Sequence, residues 1–193
     1  MDNNIKNILK YAFVLFVITA ISASLLAAVN MLTKDIIVHN AVLEEQIAVE
    51  EVMGFDASFI SLDHASVMGY GAEAIYIAKN KEGEDAGICI KVAKHGYGGE
   101  VISLIGLDMD NKVTGICILS HSETPGLGAK FTDEKFIDQF KGKGRVDVVK
   151  AGAKENEVNA VSGATKSSKA LADSVNLAVE IATKIKGEGI YLQ

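Results

Sequence analysis

No residue from Tyr11 to Thr33 carries a charge, and this run of 23 positions constrains the chain more than any other feature. A helix needs about 20 residues to cross the hydrocarbon layer, and the run is rich in large apolar side chains, among them Phe13, Leu15, Phe16, Ile18, Ile21, Leu25 and Leu26. A cleaved signal peptide is the competing reading, because Ser22-Ala23-Ser24 and Ala27-Ala28 supply small residues. Its apolar region, however, spans only about 7–15 positions. The expectation is an uncleaved transmembrane helix. Lys6 and Lys10 precede it and Lys34 beyond it is offset by Asp35, which puts the N-terminus in the cytoplasm and the remainder outside.

A chain of 193 residues has room for this anchor and one domain of ordinary size. The expected division is a cytoplasmic N-terminus at 1–10, the span at 11–33, a stalk helix at 34–55, a single domain at 56–187 and a tail at 188–193. The stalk is read from Ile37, Val42 and Val49 set among charged residues, with Gly54 as its stop and the acids Glu44, Glu45, Glu50 and Glu51 as a solvated face. A net charge of -6 and a pI near 5.2 argue against nucleic-acid binding, which needs a clustered basic surface. Cys89 and Cys117 each alternate with isoleucines and read as small strand residues, with a disulfide open only if their strands are adjacent. His39, His64, His95 and His121 are scattered without ligand spacing, so no metal site is expected.

Beyond an irregular connection, Ser58 to Gly71, with room for a short helix, Ala74–Ala78 and Gly87–Val92 read as two strands joined by the turn-rich 80–85 segment. Val101–Leu107 and Lys112–Leu119 form a second pair around Asp108-Met109-Asp110-Asn111, so the middle of the domain is a twisted antiparallel sheet and the fold class is α+β, with helices flanking the sheet. Gly96-Tyr97-Gly98-Gly99 between the pairs reads as a turn or as backbone able to approach a ligand. In Glu123-Thr124-Pro125-Gly126-Leu127-Gly128, proline fixes one φ and extends Thr124, while the glycines permit close approaches; His121 and Lys130 flank the loop. Thr132 to Phe140 is a short helix with Thr132 as its cap, 141–145 a basic loop, and Val146–Val149 a short strand. The polar stretch from Ala151 leads to Asn159.

Leu171, Val175, Ala178, Ala182 and Ile185 recur at three- and four-residue steps, which gives a helix from near Thr165 to Lys186. Ahead of it stand Ser162, Gly163, Ala164 and Thr165, with Ser167 and Ser168 in its first turn. Either Ser162 or Thr165 caps the helix, or the unpaired N–H groups and hydroxyls together receive a phosphate.

Asn159-Ala160-Val161-Ser162-Gly163-Ala164-Thr165 followed by Ser167-Ser168, and Glu123 to Gly128 some forty residues earlier, resemble the two signature loops of the FMN-binding domain found in the G subunit of Rnf complexes and the C subunit of sodium-pumping NADH:quinone reductases. The resemblance implies FMN esterified through its phosphate to Thr165. It implies further contacts from Ser162, Gly163, Ala164, Ser167, Ser168, Glu123, Thr124, Pro125, Gly126, Leu127, Gly128, Lys130 and Tyr97. It also implies a separate flavin transferase using FAD and a divalent metal, and partnership with the other subunits of an Rnf complex, in which the chain relays electrons and has no catalysis of its own. No nucleophile–base dyad is visible in the residues. The C subunit of the quinone reductase, and a membrane-anchored binding module without flavin, are the alternatives.

Overall fold

The computed structural model describes residues 2–54, 58–62, 67 and 69–189. The expected boundary at 55/56, His64, part of the 58–71 connection and the last residues of the 188–193 tail lie outside that set. The described residues of the connection include helical positions at Val67, Gly69 and Tyr70.

Helix α1 covers Asp2–Met53. The chain divides into two units, residues 1–44 and 45–193. In the first, Ile5–Lys34 contains an 18-residue window with a mean hydropathy of 2.5 and is long and apolar enough to cross a membrane. Three of its hydroxyls are satisfied within the helix: Thr19, Ser24 and Thr33 each donate to a carbonyl four residues back, which suits a segment able to lie in hydrocarbon.

The second unit is built on a five-stranded antiparallel meander, β1 (Ser58–Ser61), β2 (Ala74–Lys79), β3 (Asp85–His95), β4 (Glu100–Asp108) and β5 (Val113–His121), in that spatial order. The four expected strands are present, and their turns carry the chemistry that the residues promised. Asn80 Oδ1 accepts from the N–H groups of Glu82 and Glu84, Asp108 Oδ1 from those of Asp110 and Lys112, and Asn111 takes a left-handed φ of 58°. Two elements were not expected. Ser58–Ser61 extends the sheet beside β2, and Glu157–Asn159 (β7) forms a small parallel pair with Asp147–Val149 (β6). The expected helix at 132–140 is one turn, α2 (Glu134–Ile137), between 3-10 turns at Gly128–Thr132 and Asp138–Phe140. Thr132 is not its cap: its hydroxyl donates back to Ala129 O, and Asp133 holds the cap position without a side-chain bond.

Both faces of the sheet are covered, which is why β3 reads as a nearly continuous apolar run. Ile88, Ile90, Ile105 and Leu107 face α3 (Thr165–Gly187) and its stripe of Leu171, Val175, Ala178, Ile181, Ala182 and Ile185, all nearly or fully buried. On the other face Cys89 and Leu104 pack against Ala48, Val49, Val52 and Met53, the last turns of α1. The solvated-face expectation for the acids therefore fails at Glu45. Its carboxylate accepts from Tyr76 Oη at 2.6 Å and pairs with Lys91 Nζ at 2.8 Å, while Glu44, Glu50 and Glu51 are exposed. Cys89 and Cys117 share this face, but β4 runs between their strands and both thiols are free. Burial pushes the Cys89 thiol up to about 12.

A glycine seam lets α1 approach the sheet. Gly106 and Gly115 are cross-strand partners, and a Cβ on Gly115 would meet Val52 O at 2.7 Å and Val52 Cα at 2.8 Å. Thr114 Oγ1 fills the remaining space by donating to Val52 O at 2.7 Å. Because the obstructing atoms are backbone, Gly115→Ala is expected to lower stability by about 1–3 kcal/mol, read as a reduced urea midpoint at unchanged slope.

Candidate functional site

Three segments that are far apart in sequence meet at one end of the sheet: the β3–β4 turn, the loop leaving β5, and the start of α3. The β3–β4 turn is closed by Gly96 N–H donating to Gly99 O. It presents the next two N–H groups, of Tyr97 and Gly98, to the carboxylate of Glu123 at 2.7 and 3.1 Å. Glu123 is only 5% exposed. Gly96 and Gly128 crowd around this residue so closely that a Cβ on either would collide with it, on Gly128 at 2.7 Å from Glu123 Oε2, while a Cβ on Gly98 would collide with Ser122 O. Its own N–H donates to His121 Nδ1 at 3.2 Å, and the His121 ring stands edge-on to buried Phe131.

Burial alone would raise the Glu123 carboxyl. The Ser167 hydroxyl, the two N–H groups and nearby His121 outweigh that and hold it below its ordinary value, so it is ionised at neutral pH. Ser167 Oγ lies in the first turn of α3, is fully buried and acts on this carboxylate, yet it lacks the geometry of a hydrogen bond there or to any other described group.

The start of α3 is open. Ala164, whose side chain cannot cap, occupies the N-cap position, so neither Ser162 nor Thr165 caps the helix. Ser168 instead secures the preceding loop, accepting from Val161 N–H and donating to Ala164 O. Ser168 N–H also bonds to Ala164 O, while helix geometry leaves the N–H groups of Thr165, Lys166 and Ser167 without an intrahelical acceptor. Gly163 takes a φ of 80°, and a Cβ there would meet Leu127 Cδ1 at 2.8 Å, so the two signature loops touch at this point. Around the helix start Ser162, Thr165, Thr124, Pro125 and Gly126 are exposed, as are Tyr97 at 77% and Leu127 at 53%.

The structure thus gathers most of the expected residues but gives them different tasks. Ser162 and Thr165 offer open hydroxyls, Tyr97 and Leu127 offer apolar surface, and Glu123, Gly128 and Ser168 are buried and hold the loops. Lys130 is exposed on its 3-10 turn, with no side-chain partner among the described residues. Sequence reasoning did not give a role to Lys166, whose ammonium sits 5.9 Å from the centre of the Tyr97 ring. Its position one residue after Thr165 was the available signal. Nor did it see Gln139, which accepts from Asn159 N–H and Nδ2 and so anchors the strand leading into the loop.

The donor set fits a phosphate ester: an uncapped helix N-terminus with the positive end of its dipole, an open threonine hydroxyl at the first helical position, and an orphaned serine hydroxyl behind it. Glu123→Ala is expected to cost about 1–3 kcal/mol by stranding two N–H donors, whereas Glu123→Gln keeps one acceptor and costs less. Because the folded carboxyl is held below its ordinary value of 4.5, its contribution is complete above that pH and is lost as pH falls through the depressed folded value. Urea midpoints of wild type and Glu123→Gln, compared down a pH series, should therefore differ most near neutrality and converge in acid.

The family model for an FMN-binding domain matches residues 96–180, and that for an RnfG N-terminal region matches residues 1–52. The chain is 35% identical over 192 residues to the G subunit of the Na(+)-translocating ferredoxin:NAD(+) oxidoreductase complex of Acetobacterium woodii, covering 91% of this chain and 92% of that one. It is 30% identical over 187 residues to the G subunit of the ion-translocating oxidoreductase complex of Methanosarcina acetivorans, covering 94% and 98%. Among solved structures it resembles NqrC of Shewanella oneidensis (TM-score 0.52, 24% identity, 59% of this chain and 61% of that one). It also resembles the C subunit of the Na(+)-translocating NADH-quinone reductase of Parabacteroides distasonis (TM-score 0.50, 25% identity, 64% and 67%). The likeness to these reductase structures is one of fold, whereas the likeness to the G subunits runs through the N-terminal helix as well. The chain belongs to the G-subunit family of ion-translocating oxidoreductase complexes, with an FMN-binding domain matched over residues 96–180.

Proposed function

We propose that this chain carries FMN as a phosphoester on Thr165 Oγ1 and serves as an electron-relay subunit of a membrane-bound, ion-translocating ferredoxin:NAD+ oxidoreductase complex, with no turnover of its own. One observation carries the attachment: Thr165 stands exposed at the first position of an uncapped 23-residue helix, two residues after Gly163, which borders Leu127, and next to Lys166, whose ammonium sits over Tyr97. When bound, FMN supplies the capacity to accept and pass on electrons one or two at a time.

The residues of the chain do the rest. The N–H groups that open α3, with the Ser162 hydroxyl, would balance the single negative charge that a phosphodiester retains. Lys166 adds a cation on the same turn. Leu127 and Tyr97 offer apolar faces to a planar ring, and the Gly126–Gly128 backbone offers N–H groups to its polar edge. Glu123 holds the two glycine-bearing loops in register with the helix start. Esterification replaces a dissociation equilibrium by permanent local concentration, which matters outside the cytoplasm, where free FMN is dilute. The bond would be made by a flavin transferase from FAD with a divalent metal. The N-terminal helix would anchor the chain in the cell membrane with Lys6 and Lys10 on the cytoplasmic side and the flavin domain on the other, in company with the remaining Rnf subunits.

Coexpression with the transferase, followed by denaturing electrophoresis, tests this. Wild type and Thr165→Ser should give a band with flavin fluorescence, and Thr165→Ala and Thr165→Val should give none. A dark wild-type band would instead favour an anchored module without flavin, and a fluorescent Thr165→Ala band would place the attachment elsewhere.

A further inference from the structure

Strand β5 ends the sheet, and its outer edge borders a groove of about 680 Å³. One wall is the end of α1, with Glu51, Val52 and Gly54; the other is α2 and its flanking turns, with Glu134, Ile137 and Asp138. Gly115, Ile116, Cys117 and Ile118 line the groove in succession, as they do only where the space runs along the strand's edge and not over one face.

The hydrogen-bond phase of the sheet tells which backbone groups point into it. The Gly96–Gly99 bond sets the β3–β4 ladder, and Glu73 N–H donating to Lys91 O turns Lys91 toward β2. Lys91 and Leu104 are therefore a non-bonded pair, so Leu104 and its other partner, Cys117, are a bonded one. By alternation, the N–H and C=O groups of Ile116 and Ile118 point outward. At the start of β5 the outer edge is occupied, because Val113 exchanges bonds with Gly142 and Lys143. From Ile116 onward no such partner exists among the described residues, although Ile116 is only 9% exposed and Ile118 is partly buried. Open strand edges of this kind are templates for another strand.

Charge says what kind of strand fits. Glu51 and Glu134 face the groove and form no ion pair among the described residues; the lysine that also lines it, Lys141, is already paired with Asp138 at 2.8 Å, and His121 lies at its far end, so carboxylates outnumber lysines along the groove. Glu51 lies near enough to Cys117 to help burial raise that thiol. We infer that the groove beside Ile116 and Ile118 receives an extended, lysine- or arginine-bearing segment of a neighbouring subunit, which adds to β5 as a sixth antiparallel or parallel strand. This rests on the reading of the chain as a subunit of a larger membrane complex. Backbone pairing supplies the affinity, and the carboxylates exclude acidic segments and supply the specificity.

Amide hydrogen exchange, compared between the full-length flavinylated protein in detergent and the complex isolated from membranes, tests the inference. Exchange at Ile116 and Ile118 should slow by about tenfold or more on assembly, with the already bonded Cys117 amide changing much less. Glu51→Lys with Glu134→Lys should abolish that slowing and leave flavin attachment intact. A photo-crosslinking side chain in place of Glu134 should label a cationic, non-helical stretch of another subunit. If this chain is present in the complex and Ile116 and Ile118 exchange as fast as in detergent, or if the label falls on a helix or a second copy of this chain, the inference is wrong. If this chain is absent from the complex, its reading as a component of that complex falls, and this inference with it.

Discussion

A carboxylate buried beneath two glycine-bearing loops holds the functional end of this domain together. Glu123 gathers the N–H groups of Tyr97 and Gly98, excludes any side chain from Gly96 and Gly128, and acts on a serine hydroxyl in the first turn of α3. A buried charge persists only where donors replace the water it has lost. Here the two donors come from a turn more than twenty residues earlier in sequence, so satisfying one side chain fixes the β3–β4 turn against the loop that leaves β5. The glycines are part of the same constraint, because each gives up a side chain where the carboxylate needs room.

The sheet makes that convergence possible. The β3–β4 turn and the end of β5 lie at the same end of an antiparallel meander, and α3 lies across β3 and β4 with its N-terminus at that end. The opposite face is closed by the last turns of α1, drawn close by Gly106 and Gly115 and pinned by Glu45 to Tyr76 and Lys91. With both faces buried, the open functional surface is left to the loops at the edge, where the exposed Thr165, Tyr97 and Leu127 stand.

Much of this was legible in the residues because it follows from strong local signals. The apolar stripe of α3, the isoleucine- and valine-rich runs of β3 to β5 and the Asn80 and Asp108 turns all act within a few residues. What escaped depends on tertiary partners. β1 and β7, at four and three residues, are too short to show a period and exist through pairing with β2 and β6. Glu45 reads as one of several solvated acids until Lys91 and Tyr76 are brought beside it. In the site, the residue types were legible but their division of labour was not. A serine ahead of a helix is expected to cap it, yet Ser168 is turned toward Val161, and Ala164, which cannot cap, leaves the helix end open for an anion. Membership of the G-subunit family came from motif resemblance and is carried by relatives matching nearly the whole chain.

Whether Thr165 Oγ1 bears the flavin decides the electron-relay role. The most direct measurement is peptide-resolved mass spectrometry of the chain purified from the membranes in which it matures. The expected result is an increment of one FMN less one water, confined to the peptide that contains Thr165 and fragmenting at that residue. An unmodified Thr165 in protein that was made beside its transferase, or the same increment on a different peptide, would contradict it.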